Sequence, residues 1–226
     1  MSNHAVQDKV YQNPGNPQIL RWIPPGARAV LDVGCGAGEN ARLIAALGAA
    51  VDGVTLSEAE AAIARPHLRS VHLHNLEGGL PPEMTGPYDA VTASHVLEHI
   101  CFPEALLRDV RARLAPGGVF IVAIPNMLTI KYRLRLLLGR IEYEAKGIMD
   151  NTHFRWYTFR SFQQLLSAHG YQVVEAYGTG YFPLPLLREL LPGALSAALD
   201  RLSCRLFPGL FAIQLVFVAR PTAKAD

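Results

Sequence analysis

The sequence predicts a doubly wound α/β domain built on a mainly parallel sheet, and three observations carry that prediction. Short apolar runs alternate with helical segments of about ten residues, and a parallel crossover needs roughly that length of chain. The first run, Ala29–Val33, suits a strand covered on both faces. It leads directly into a glycine-rich turn, Gly34-Cys35-Gly36-Ala37-Gly38, and then a helical segment. Open parallel sheets bind ligands at such a place, at the carboxyl ends of their strands.

The elements follow in order. Residues 1–27 form a polar arm punctuated by Pro14, Pro17, Pro24 and Pro25, with a short helix around Ile19–Ile23. Residues 28–126 form the core. After Ala29–Val33 comes a helix over Glu39–Leu47, stopped by Gly48, and a second strand over Ala50–Val54. Ser57 with Glu60 three residues on reads as a capping box for a helix through Arg65. Ser70–Leu73 and Tyr88–Ala93 are the next strands. A helix from Pro103 to Leu114 ends at Pro116-Gly117-Gly118, and Val119–Ile124 is the fifth strand. The rhythm then breaks at a basic, leucine-rich insertion, 127–157. Residues 158–226 complete the sheet: a helix over Thr158–His169 capped by Gly170, a strand over Tyr171–Tyr177, apolar helices at Leu184–Leu191 and Ala194–Phe207, and a strand over Phe211–Ala219.

Composition narrows the function classes. With 226 residues, half of them hydrophobic and 18% charged, the chain can bury a substantial core as one domain. The net charge of +2 is too balanced for a nucleic-acid binder. The three cysteines, Cys35, Cys101 and Cys204, lack CxxC spacing, so neither a disulfide framework nor a zinc knuckle is expected. The first residues carry no apolar signal segment, and no apolar run is long enough to span a bilayer. A cytoplasmic location is expected.

The glycine turn selects its ligand by charge. Glycines let a ligand approach the backbone closely, and the helix that follows offers unpaired N–H groups. Asp32 stands two residues before Gly34. It would repel a pyrophosphate and suit a cation. The spacing also departs from the GxGxxG dinucleotide pattern. Cys35, with no cationic neighbour to activate it, reads as a small packed residue.

Val30-Leu31-Asp32-Val33-Gly34-Cys35-Gly36-Ala37-Gly38 resembles motif I of the class I S-adenosylmethionine (SAM)-dependent methyltransferases. The resemblance continues through GVTLS, HNLEGGLP, YDAVTASHVLEHI and LAPGGVFIVAIPN, covering residues 28–126, and VLEH is frequent in relatives of the ubiquinone O-methylating enzymes. It implies a seven-stranded sheet with the seventh strand antiparallel, SAM as cofactor, and methyl transfer to O, N or C of a small-molecule or lipid-linked acceptor. It also implies roles by position. Asp32 would order the methionine ammonium, while the backbone of Gly34, Gly36 and Gly38 lines the methionyl and ribose part. Thr55, with Leu56 beside it, stands where the family usually has a ribose-binding acid, a departure resembling cyclopropane-fatty-acid-synthase relatives. Asn75 and Leu76 would meet the adenine, and Ser94 and His95 the sulfonium.

A base is needed only if the acceptor must lose a proton. The candidates are His153, in the polar-aromatic cluster Asp150–Thr158, then His99, Tyr157 and His95. The stretch from Gly139 to Phe162 resembles bacterial methyltransferases of envelope-glycan assembly. His95-Val96-Leu97-Glu98-His99 also matches the HxxEH zinc-protease pattern. That motif needs a long helix, whereas here a strand precedes it and Pro103 follows, so no metal is expected. Residues 130–140 alternate leucines with Lys131, Arg133, Arg135 and Arg140, suited to an anionic membrane surface or to packing on their own domain. The apolar tail can equally form a homodimer contact. Three other functions fit the same residues: a non-catalytic SAM-binding regulator, a cyclopropane-synthase-like carbon transfer suggested by Thr55, and a nicotinamide oxidoreductase.

Overall fold

The computed structural model describes Val10, residues 14–182 and residues 190–222. Its seven strands, in chain order, are β1 (Ala29–Val33), β2 (Ala50–Thr55), β3 (Ser70–Leu73), β4 (Tyr88–Ser94), β5 (Leu114–Pro125), β6 (Tyr171–Gly180) and β7 (Ala212–Pro221). They form one sheet in the order β3-β2-β1-β4-β5-β7-β6. All pairings are parallel except those of β7, which runs antiparallel to β5 and β6. The doubly wound sheet with an antiparallel seventh strand is therefore present.

Both faces of this sheet are covered because its central strands are mostly apolar, and strand β5 is apolar throughout Val119–Ile124. In β5, Phe120, Val122 and Ile124 pack into one core cluster, while Val119, Ile121 and Ala123 pack into the other. This period-two split of a continuous apolar run is what a strand covered on both faces requires. Helix α4 (Glu104–Arg113) buries Leu106, Leu107 and Val110 on the first face, beside Phe162 and Leu166 of α6 (Phe159–Ala168). The second face is sealed by Ile19 of α1 (Pro17–Leu20) and by Ala41 and Ile44 of α2 (Glu39–Ala45). Helix α3 (Glu58–Ala64) follows β2, and α5 (Ile130–Leu137) follows β5. The tail carries α7 (Gly193–Leu206) and α8 (Pro208–Phe211).

Several boundaries differ from the sequence reading for local reasons. Strand β5 begins at Leu114, before the Pro116-Gly117-Gly118 stop, because the chain is already extended there. Its register with β4 slips between the pairs Tyr88/Leu114 and Ala90/Val119. A Cβ on Gly118 would stand 2.9 Å from the Tyr88 carbonyl oxygen, so only glycine lets the two strands close at this slip. The capping box at α3 is half made. Ser57 accepts from the Glu60 N–H at 3.3 Å, but the Ser57 N–H goes to Thr55 Oγ1, also at 3.3 Å. A reciprocal box forms instead at α6, between Thr158 and Ser161. The expected helix over Leu184–Leu191 falls on residues 183–189, which lie outside the described residues. No helix among the described residues is long and apolar enough to cross a membrane.

Leu107 is fully buried between α4 and the sheet. Leu107→Ala should cost about 2–5 kcal/mol of unfolding free energy, read from urea denaturation. A cost below about 1 kcal/mol would mean that α4 does not seal this face.

Candidate active site

The strand order turns back between β1 and β4, since β1 leads outward through β2 to β3 and the chain then returns to β4. Connections leaving in opposite directions open a crevice at the carboxyl ends of these two strands. The glycine turn lies there. Gly34, Gly36 and Gly38 have φ of +66°, +55° and +89°, which L side chains rarely adopt. A Cβ on Gly34 would stand 2.4 Å from Val96 Cγ2. The bare backbone is thus demanded by conformation and by space. Cys35 is buried, its N–H donates to the Val54 carbonyl at 2.8 Å, and burial pushes its thiol pKa well up, leaving it a packed residue.

Asp32 lies on β1, two residues before the glycine turn. It is 1% exposed and pairs in register with Thr92 of β4, whose hydroxyl donates to Oδ1 at 2.7 Å. Its other oxygen, Oδ2, has no hydrogen-bond partner. Burial raises the carboxyl pKa to about 7 against the pull of the Thr92 hydrogen bond, with Glu39 adding repulsion. An ammonium group supplies what this oxygen lacks.

At the end of β2 the Thr55 hydroxyl donates to Glu60 Oε2 at 2.7 Å. Thr55 is thereby committed to a neighbour from α3, which the sequence reading did not foresee. Asn75 is exposed and caps the short turn Leu76–Gly78, its carbonyl oxygen accepting from the Glu77 N–H at 3.1 Å. Glu77 in turn accepts from the N–H of Cys101 and of Phe102, tying the loop after β3 to the loop after β4.

The end of β4 gathers the histidines. His95 holds φ +57°, a strained conformation for a non-glycine residue of the kind that clusters at functional sites. Its Nε2 meets Gln214 Oε1 at 2.7 Å and its Nδ1 meets Glu98 Oε1 at 3.4 Å. Desolvation opposes charging this ring, and the Glu98 carboxylate outweighs it, so the His95 pKa is raised. Asn16, from the arm, donates to both Ser94 Oγ at 3.0 Å and Gln214 Oε1 at 2.9 Å, closing the network.

Leu97–His99 forms a single 3-10 turn rather than a long helix, so the metalloprotease geometry is absent. Glu98 is fully buried and neither carboxylate oxygen accepts a hydrogen bond. His99 Nδ1 lies 3.1 Å from the Thr152 carbonyl, and His153 Nδ1 lies 3.0 Å from the Ile148 carbonyl. A carbonyl only accepts, so both Nδ1 atoms carry a proton. The two rings meet edge to face at 4.6 Å, with His153 Nε2 4.0 Å from Glu98 Oε1. Burial lowers the His153 pKa, against the nearby Glu98 charge, so its ring is neutral near pH 7. Although no metal was expected from the sequence, Glu98, His99 and His153 bring ligand atoms within 4.8 Å of one another, the donor set a divalent ion would accept. Tyr157 parts from this group. It packs edge to face on Phe162 within the core, and burial raises its pKa to about 12.

A family model described as a methyltransferase domain matches residues 14–176. The chain belongs to the methyltransferase family. The ubiquinone biosynthesis O-methyltransferase of Acinetobacter baumannii (strain ACICU) is 33% identical over 149 residues, a match that covers 61% of this chain and only 62% of that relative. The enzyme of the same name from Burkholderia thailandensis is 31% identical over 188 residues, covering 75% of this chain and 77% of the relative. Among solved structures, a SAM-dependent methyltransferase from Archaeoglobus fulgidus superposes with TM-score 0.64 at 19% identity, covering 90% of this chain and 91% of its own. One from Mesorhizobium loti superposes with TM-score 0.59 at 20% identity over 90% and 96%. These similarities show the class I methyltransferase fold.

SAM is the cofactor of this family, and the residues present fit it. The left-handed glycine turn leaves backbone room, and a buried Asp32 oxygen without a hydrogen-bond partner is compatible with a cationic ligand. Thr92, Gln214 and Asn16 carry no motif in the sequence, and Glu60 reads there only as part of a helix cap. Glu98 stands within the HVLEH motif, whose resemblance to a zinc-protease pattern gives it no role here. A polar residue inside an otherwise apolar strand, as Thr92 is in YDAVTAS, was the available signal for one of them.

The raised Asp32 pKa sets a pH dependence. Unfolded, this carboxyl titrates near 3.8; folded, near 7. Between these values the native state holds a proton that the unfolded chain has lost, so rising pH destabilises the ligand-free protein across that window. Wild type should therefore lose up to about 1.4 kcal/mol per pH unit there relative to Asp32→Asn, read from denaturant midpoints. Parallel stability curves would show that Asp32 is not desolvated.

Proposed function

We propose that this chain transfers a methyl group from SAM to the hydroxyl of a small amphipathic acceptor, with His153 taking the acceptor's proton. The observation that carries cofactor binding is the partnerless Asp32 oxygen beneath the left-handed glycine turn. Bound there, SAM supplies a methyl group activated by a sulfonium. The chain's own contribution is to orient and to hold protons. Asp32 receives the ammonium, and the backbone of Gly34 and Gly36 admits the methionyl part. Ser94 and His95 border the space beyond β4.

His153 suits the role of base because Ile148 fixes its tautomer, burial keeps it neutral, and its Nε2 looks toward buried Glu98. Glu98 steadies the imidazolium that forms when the proton arrives. Tyr157, with its high pKa, is a packed wall rather than a base. O-methylation also accords with the names of the relatives, which are ubiquinone O-methyltransferases. The segment 127–157, which carries His153, is assigned as the acceptor lid. A regulator without catalysis would leave this tautomer-fixed imidazole without purpose.

A lipid-soluble acceptor also accounts for α5. Leu134, Leu137 and Leu138 are all more than half exposed, and Lys131, Arg133 and Arg140 surround them. Apolar side chains ringed by cations suit the surface of an anionic bilayer. Cosedimentation with phosphatidylglycerol vesicles should be lost in the Leu137→Asp/Leu138→Asp variant. Unchanged sedimentation would remove the membrane role, and a dimer broken by these substitutions would assign the face to a second copy.

SAM should raise the thermal midpoint, and Asp32→Ala should abolish that rise. Transfer of a radiolabelled methyl group into fractionated cell extract identifies the acceptor. His153→Ala should keep the thermal response to SAM while losing about 10²–10⁴-fold in labelling rate. Full labelling by that variant would dismiss His153 as the base.

A further inference from the structure

Helix α7 is turned the wrong way round for a helix whose outer face meets water. Its buried residues include Ser196 and Ser203, while Leu195, Leu202 and Leu206 are 48%, 52% and 59% exposed. A serine can sit inward because its hydroxyl returns to the helix's own backbone, and Ser203 Oγ donates to the Asp200 carbonyl at 3.1 Å. Residues at i, i+7 and i+11 share one helix face, so the three leucines form an outward stripe. Phe207, just past the helix, is also more than half exposed and continues it. A contiguous apolar stripe of this kind marks a contact surface. Charge selects the partner. The two charged side chains exposed on α7, Arg201 and Arg205, are both cations one turn apart. Asp200, the one acid of the helix, is partly buried and accepts from the Phe182 N–H at 2.8 Å. The surface also adjoins α5. Asn126 Nδ2, at the end of β5, donates to the Pro208 and Gly209 carbonyls at 3.3 Å each, and Arg133 of α5 reaches Gly209. A second copy of the chain is a poor occupant, because a two-fold contact sets the same patch against itself and would bring these cations together.

We propose that α7 is a second lipid-binding element, laying Leu195, Leu202 and Leu206 into an anionic bilayer while Arg201 and Arg205 meet the headgroups. An amphipathic helix lies in the plane of the interface, its apolar face below the headgroups and its long cationic side chains reaching back to them. The inference rests on the reading of α5 as lipid-facing and extends that surface to the segment between β6 and β7. Two elements from distant parts of the chain then fix the protein's tilt on the membrane, where one helix alone would leave it free to roll. The inverted helix is thereby explained: its leucines face the bilayer, and its small residues let it sit close to the domain.

Vesicle binding of the full chain separates the two helices. The probes are vesicles of equal parts phosphatidylglycerol and phosphatidylcholine, and of phosphatidylcholine alone. Each is mixed with wild type, Leu202→Asp/Leu206→Asp, Arg201→Gln/Arg205→Gln and the α5 variant Leu137→Asp/Leu138→Asp. Wild type should prefer the anionic vesicles, and added salt should weaken that preference. Arg201→Gln/Arg205→Gln should lose about fivefold in vesicle affinity for each cation removed. Leu202→Asp/Leu206→Asp should lose about tenfold or more. Both α7 variants should unfold at the wild-type urea midpoint, since the substituted side chains are exposed. Should the aspartate variant misfold, the glutamine variant carries the test. Either folded α7 variant binding like wild type, while the α5 variant does not bind, would confine the contact to α5 and overturn the assignment. A wild-type dimer in sedimentation velocity that the α7 substitutions dissociate, with vesicle binding unchanged, would give the stripe to a second copy. Wild type indifferent to phosphatidylglycerol would remove the lipid reading of both helices.

Discussion

A buried carboxylate with one satisfied oxygen and one orphan is costly, and the fold of this chain maintains such a group at its centre. Asp32 lies on β1, the strand next to the point where the sheet's connectivity reverses, and Thr92 on the neighbouring β4 meets only half of its needs. Desolvating a charge is tolerated when a ligand supplies the missing partner, and otherwise the group holds its proton. The backbone around Asp32 is correspondingly bare. Three left-handed glycines exclude the side chains that could have satisfied it, and Val96 blocks any substitution at Gly34. Everything else positions this seam.

The scaffold does so by being covered on both faces. Period-two alternation of apolar side chains in β5 feeds two separate cores, so the sheet cannot tilt or slip without exposing one of them. The rigid sheet then presents its strand ends as fixed points: Asp32 and Gly34 from β1, Thr55 from β2, Ser94 and His95 from β4. The charge at each point is set by a neighbour from another element. Thr55 is answered by Glu60 of α3, His95 by Glu98 and Gln214, and His153 by the Ile148 carbonyl.

The histidine cluster shows how one buried acid divides labour among rings. Beside the same carboxylate, His95 gains pKa while His153 loses it. His95 faces Glu98 at 3.4 Å and can donate through both nitrogens, whereas His153 stands 4.0 Å away with its proton already engaged by a carbonyl. One ring is suited to stay charged and to order the Gln214–Asn16 network. The other is held toward its neutral form by burial.

Strand and helix positions, the parallel sheet, the glycine turn and the cationic character of its ligand were legible in the sequence, because they depend on local rules: alternation, glycine conformation, and a carboxylate two residues before a turn. Spacing picked out Gly34, Gly36, Gly38 and Asp32 as a turn suited to a cation, and the roles proposed for them came from the family resemblance. Other features were decided only in three dimensions. Thr92 meets Asp32 across 60 residues of chain, Asn16 reaches Gln214 across 198, and His99 anchors to Thr152 across 53. Tyr157, which sits among polar residues in the chain, turns inward to Phe162 because the helix that follows it packs on the sheet. Glu60 satisfied a capping pattern in sequence, yet Thr55 took its side chain. Hydrogen-bond partners are chosen by distance in the folded state, and that distance is fixed by strand order, which residue spacing does not encode.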